Sequence, residues 1–163
     1  MADMLVKLYG IEYESREKEL LSAGIRIKKA SIVDKNAILE FVREHFPEEK
    51  AWANECEYAL FHDPVSCWIA VKEKQMVGFA CYDATAKGFF GPMGVKEELR
   101  KKGIGAELLI KSLQSMKESG YAYAVIGWVA SSAIEFYQKQ VHAMMIEDSP
   151  PNKSIYKNLI SQE

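Results

Sequence analysis

The chain reads as an α/β domain of the α+β kind: a mixed, mostly antiparallel central sheet with one parallel, splayed strand pair, and helices on both faces. Three observations carry this reading. Short runs of β-branched and apolar residues at 66–71, 76–82 and 89–95 are joined by connections too short for helical crossovers, so they pair antiparallel. A helical stripe at Ile104, Leu108, Leu109, Leu113 and Met116 then separates the third run from a fourth at 121–129. Strand, helix and strand in that order make a right-handed crossover with parallel strands. Within 89–95, Pro92 cannot donate a ladder hydrogen bond and Gly91 and Gly94 weaken pairing beside it, so a bulge or splay is expected there.

In chain order, residues 1–24 look like an extension packed on the main domain, which runs from 25 to 163. Met4 to Tyr9 predicts a short strand, and Glu14 to Ala23 a charged helix closed by Gly24; the segment covers a sheet edge or meets a second copy in a homodimer. Ile25-Arg26-Ile27-Lys28 alternates as a half-buried strand does. A helix from Asp34, its N-cap, carries Ile38, Leu39, Phe41, Val42 and Phe46 up to Pro47. A second helix is expected from Glu48 to Leu60, ended by Asp63-Pro64. Ser66 to Val71, the turn 73–75 and Met76 to Tyr82 form a hairpin, and 83–88 leads into Phe89 to Val95. Beyond Gly120, the run from Tyr121 to Val129 is apolar enough for a strand buried on both faces. A helix over 131–140, a strand at 143–146, a break at Pro150-Pro151 and a final strand or short helix at 155–160 complete the chain.

With 163 residues the chain suits one domain with a full core. Twenty-one basic against 23 acidic residues leave a net charge of -2, which argues against a nucleic-acid or membrane-surface binder. No run is long and apolar enough for a membrane span, and no secretory leader pattern opens the sequence, so a cytoplasmic location is expected. Cys56, Cys67 and Cys81, and His45, His62 and His142, are too scattered for a disulfide framework or a metal site.

The stretch with chemistry in it is Arg100-Lys101-Lys102-Gly103-Ile104-Gly105-Ala106. Its glycines fall in the loop and first turn of the helix behind it, where backbone N–H groups have no intrahelical partner and sit at the positive end of the dipole. Glycine lets an anion approach closely, and the three preceding cations add local charge.

Arg100-x-x-Gly103-x-Gly105-Ala106, after a strand ending at Val95 and before an apolar strand and the segment Ala133-x-x-Phe136-Tyr137, resembles the coenzyme A loop of the GNAT acyltransferase superfamily. The likeness covers roughly residues 25–160 and is strongest from Phe89 to Tyr137. It implies an N-acetyltransferase that takes acetyl-CoA as cosubstrate, uses no metal, and moves the acetyl group to a primary amine of a small molecule or peptide by direct attack. The alternative is a non-catalytic acyl-CoA-binding or interaction module of the same fold.

Carried over position by position, the resemblance assigns Gly94 and Val95 to the pantetheine arm and Arg100 through Ala106 to the pyrophosphate. It makes the Val95 N–H an oxyanion donor, and Tyr137 the acid that protonates the departing sulfur. Tyr137 packed with its hydroxyl satisfied elsewhere is the structural alternative. The base is open among Glu44, Glu55, Asp83 and a water relay. Cys81 reads as core rather than as an acyl-carrying nucleophile. Two positions depart from the family pattern: Ala130 stands where an asparagine is common, and His142 where a glycine usually precedes the next strand.

Overall fold

The computed structural model describes residues 1–10 and 12–150. Seven strands, β1 (Ala2–Lys7), β2 (Ile25–Lys29), β3 (Cys67–Lys72), β4 (Gln75–Tyr82), β5 (Phe89–Val95), β6 (Tyr123–Val129) and β7 (Met144–Met145), are joined by five α-helices. These are α1 (Glu17–Ser22), α2 (Lys35–His45), α3 (Trp52–Leu60), α4 (Ile104–Glu118) and α5 (Ile134–Val141). The strands form one sheet in the order β2-β3-β4-β5-β6-β1-β7. Among the described residues only β5 and β6 run parallel; the other neighbours are antiparallel.

Local sequence explains most of these elements. In β2, Ile25 and Ile27 are buried while Arg26 and Lys28 face out. The β3–β4 hairpin turns on Glu73 and Lys74, both left-handed at φ 51° and 63°, the pair of conformations that matches the twist of the flanking strands. In β4, Phe79 and Cys81 face the core under α2 and α3, whereas Ala80 and Tyr82 face the core under α4. The sheet thus carries helices on both faces, as the two apolar stripes require.

Several boundaries differ from the sequence reading. Asp34 occupies the N-cap of α2 but makes no side-chain capping bond, because a 3-10 turn at Ile32–Asp34 precedes the helix. The helix expected from Glu48 begins only at Trp52: Glu49 N–H donates to Phe46 C=O and Trp52 N–H to Glu49 C=O, so 46–52 is closed by successive turns. Strand β6 is not buried on both faces. Ala124, Ile126 and Val129 are buried, but Tyr123 and Trp128 are exposed. Trp128 sits at φ 51°, and the pairing of β1 with β6 slips between Ala2↔Val129 and Met4↔Ile126, which shifts the alternation by one residue.

The first strand lies inside the sheet rather than along its edge. β1 pairs with β6 on one side and β7 on the other, and Met4 and Val6 are fully buried. The helix expected at 14–23 is limited to α1. At the other end, His142 closes α5 in the left-handed conformation, φ 54°, the geometry a glycine would give there. Pro151 and the element expected at 155–160 lie outside the described residues.

Candidate active site

The parallel pair opens after two rungs. Phe89 pairs with Val125 and Phe90 with Ile126, and beyond them β5 is paired only with β4, through Ala80↔Met93, Phe79↔Gly94 and Gly78↔Val95. The pleat decides which amides face the opening. Lys96 N–H donates to Val77 C=O at 2.9 Å, so 96/77 is a hydrogen-bonded pair, 94/79 is the next, and Met93 and Val95 direct their backbone groups away from β4. The Val95 C=O confirms this orientation by accepting Arg100 Nε–H at 3.1 Å. Gly94 contributes differently. Its backbone faces β4, and a Cβ there would collide with the Phe46 ring, so the bare strand surface is what lets α2 close on it.

Two clefts meet at this opening. The first, about 1140 Å³, is lined by Met93, Gly94 and Val95, by Arg100, Lys101, Lys102, Gly103, Gly105 and Ala106, and by Phe136, Tyr137 and Gln140. The second, about 690 Å³, lies toward the other end of β5 and holds Glu55, Thr85, Phe90 and Trp128. Glu49, Trp52, Met93, Ala133 and Tyr137 belong to both, so they mark the junction.

The glycine loop has the conformation its sequence demands. Lys101 is left-handed at φ 62°, and Gly103, at φ 90°, is the N-cap of α4. Arg100, Lys101 and Lys102 are exposed at the rim, and Gly105 sits in the first turn against the cleft. Among the predicted loop residues Ile104 is the one that does not line the cleft, its side chain being buried in the core, 1% exposed.

Tyr137 stands at the junction. Its ring packs edge-on against Phe90 at 6.4 Å and Phe136 at 5.1 Å. Burial pushes its phenol up to about 12. Among the described residues its hydroxyl has no hydrogen-bond partner.

The three carboxylates offered as a base separate in space. Glu44 is exposed and lines neither cleft. The Asp83 carboxylate accepts the Gly88 N–H at 2.8 Å and so shapes the turn before β5. Glu55 projects into the second cleft and accepts the Thr85 hydroxyl. Burial raises its carboxyl above the ordinary range; the Thr85 bond lowers it, and the nearby Glu49 charge raises it further. Cys81 is fully buried, its Sγ 3.6 Å from Cys56 Sγ, and contacts with Cys56 and Cys67 together with burial hold its thiol well above the usual value. A thiol held that way is no nucleophile.

Sequence reasoning missed Arg16 and Gln140, which line the first cleft, and Trp128 and Thr85, which line the second. Arg16 and Gln140 are brought together from the two ends of the chain, and nothing in local spacing signals that. For Trp128 the signal was available in principle: a tryptophan beside Gly127 near the end of the strand.

The fold places a glycine-capped helix N-terminus beside a sheet that opens between β5 and β6. Residues 34–142, more than half of the chain, match the model of the acetyltransferase (GNAT) family, and the chain belongs to that family. No curated protein matches it in sequence. Among solved structures it is similar to a GCN5-related N-acetyltransferase from Sphaerobacter thermophilus (21% identity, TM-score 0.67, 89% of this chain and 48% of that one). It is also similar to the glucosamine N-acetyltransferase region of a fungal multi-domain beta-N-acetylglucosaminidase (13% identity, TM-score 0.70, 89% and 19%). A third is a Brucella melitensis GNAT acetyltransferase in complex with acetyl-CoA (17% identity, TM-score 0.56, 77% and 89%). The chain therefore spans less than half the length of the first two. Among the described residues no helix is long and apolar enough to cross a membrane.

Proposed function

We propose that this acetyltransferase uses acetyl-CoA as cosubstrate and acetylates a primary amine of a small molecule or peptide by direct attack. The observation that carries the proposal is the junction itself. A long cleft floored by a glycine-shaped helix N-terminus meets a shorter acidic cleft where β5 and β6 part, and Tyr137 faces both.

The residues present fit coenzyme A. The α4 amides around Gly103, with Arg100, Lys101 and Lys102 at the rim, suit a diphosphate. Met93 and Val95 offer unzipped strand groups of the kind an extended amide chain pairs with. Acetyl-CoA supplies the acyl group as a thioester. The Val95 N–H faces the opening and donates to the acyl oxygen as negative charge gathers there. Glu55 is the base: its raised carboxyl favours taking a proton from the incoming ammonium or amine, and with Glu49 it makes the second cleft attractive to a cation. Tyr137 holds its proton at neutral pH and gives it to the sulfur as the C–S bond breaks and the C–N bond forms. No protein nucleophile is required.

The test pairs binding with turnover. Thermal unfolding with acetyl-CoA, ATP or NAD should show a shift for acetyl-CoA alone, since a ligand of the folded state raises its stability. With acetyl-CoA bound, at least one amine of a panel of primary amines should release free thiol. Equal shifts for all three nucleotides, or none for acetyl-CoA, would overturn the assignment.

A further inference from the structure

The N-terminal segment reaches the glycine loop through one side chain. Arg16 lays its stem across Gly103: a Cβ on that glycine would stand 2.8 Å from Arg16 Cδ and 3.6 Å from Nε. Its Nη1–H donates to Gln140 Oε1 on α5 at 3.1 Å. The guanidinium thus spans from the N-cap of α4 to the helix that carries Tyr137, along the wall of the first cleft.

This position is fixed from below. The Arg16 N–H donates to Glu107 Oε2 at 2.7 Å, and the Ser15 hydroxyl to Glu107 Oε1 at 2.9 Å. Glu107 is fully buried, and its own N–H donates to the Gly103 C=O at 3.0 Å. The anchor and the anion-binding turn are therefore one rigid unit, and Arg16 is referred to it directly. Among the described residues no carboxylate lies in ion-pair distance of Arg16, although Glu19 lines the same cleft. A guanidinium that lines the same cleft as the N-cap of α4, with no ion-paired carboxylate among the described residues, suits an anion, and its fork matches phosphate oxygens bidentately.

We propose that Arg16 is a diphosphate-binding residue of the coenzyme A site, so that the segment before β2 completes the cofactor cleft. This rests on the reading of the first cleft as the coenzyme A site. Arg16→Ala keeps the backbone N–H that Glu107 accepts, and Arg16→Lys keeps the charge and most of the stem but not the fork.

The test is calorimetric titration of wild type and both variants with coenzyme A and with 3′-dephospho-coenzyme A, alongside their unfolding curves. Loss of a charge-assisted bond predicts about tenfold to hundredfold weaker binding for Arg16→Ala with both ligands, with Arg16→Lys in between and melting curves little changed. Binding by Arg16→Ala within about twofold of wild type overturns the role. A loss confined to coenzyme A, absent with the dephospho form, moves the contact to the 3′-phosphate and overturns the diphosphate assignment. Should Arg16→Ala fail to fold, Arg16→Lys decides: unchanged affinity overturns the proposal, and weaker binding of both ligands supports it. Failure of the wild type to bind either ligand would instead sink the coenzyme A reading itself.

Discussion

Glu107, one turn into the helix behind the glycine loop, accepts the backbone N–H of Arg16, 91 residues earlier in the chain, at 2.7 Å. With its second oxygen on the Ser15 hydroxyl, this fully buried carboxylate ties the N-terminal segment to the core of the acetyltransferase. Glu107→Ala leaves both donors without a partner, at a cost of about 1–3 kcal/mol or more. Urea denaturation should show the lower midpoint, and hydrogen exchange should quicken in residues 12–22 before it does in β3 and β4. An unchanged midpoint would mean that β1, the buried Leu20 and the Glu17–Lys111 pair hold the segment without Glu107.

With Glu55 as the proposed base, the acidic limb of the pH–rate profile should follow its carboxyl. A base must be deprotonated, so kcat/KM rises with pH through its pKa, and burial sets that limb above the ordinary carboxyl value of 4.5. Thr85→Val removes the bond that lowers the pKa and should move the limb to higher pH. Glu49→Gln removes a like charge and should move it lower. Glu55→Gln should abolish the limb and cost roughly a hundredfold or more in rate. Its effect on folding has the opposite sense. A carboxyl with a raised folded-state pKa favours the fold at low pH and loses that contribution as pH rises through the folded pKa. Glu55→Gln should therefore not destabilise the protein through charge at pH 7.

Tyr137→Phe should lower kcat by about a hundredfold with little change in thermal stability, since the hydroxyl has no protein partner among the described residues to lose. The phenol is raised to about 12, so spectrophotometric titration should show one tyrosine that ionises only near that pH, and the variant should lack it. A full-rate Tyr137→Phe would remove the proton-donor role.

His142 carries a left-handed backbone, φ 54°, at the end of α5. A side chain in that conformation costs about 1–2 kcal/mol relative to glycine. His142→Gly should therefore raise the melting temperature, with part of the gain offset by the freer unfolded chain. A lower melting temperature would show that the imidazole makes up the difference.

What could be read from the sequence was what neighbouring residues decide. The stripe from Ile104 to Met116, with Gly103 just before it, marked the turn that opens α4, and Pro92 between Gly91 and Gly94 marked where β5 and β6 part. Relations between distant segments were not legible. No local pattern says that β1 is inserted between β6 and β7, that Ser15 and Arg16 meet Glu107, or that Phe46 fills the space Gly94 leaves open. The burial of β6 was misread because an apolar run reports hydrophobicity but not which face a helix covers; there, Tyr123 and Trp128 stay at the surface.

The central claim is that backbone amides beside the opened sheet hold acetyl-CoA. Titration of 15N-labelled protein with acetyl-CoA, followed by amide resonances, tests it directly. The account predicts saturable shifts largest at Val95, Gly103, Gly105 and Ala106, with β2 and β7 unmoved. Shifts centred elsewhere, or a spectrum that acetyl-CoA leaves unchanged, would contradict it.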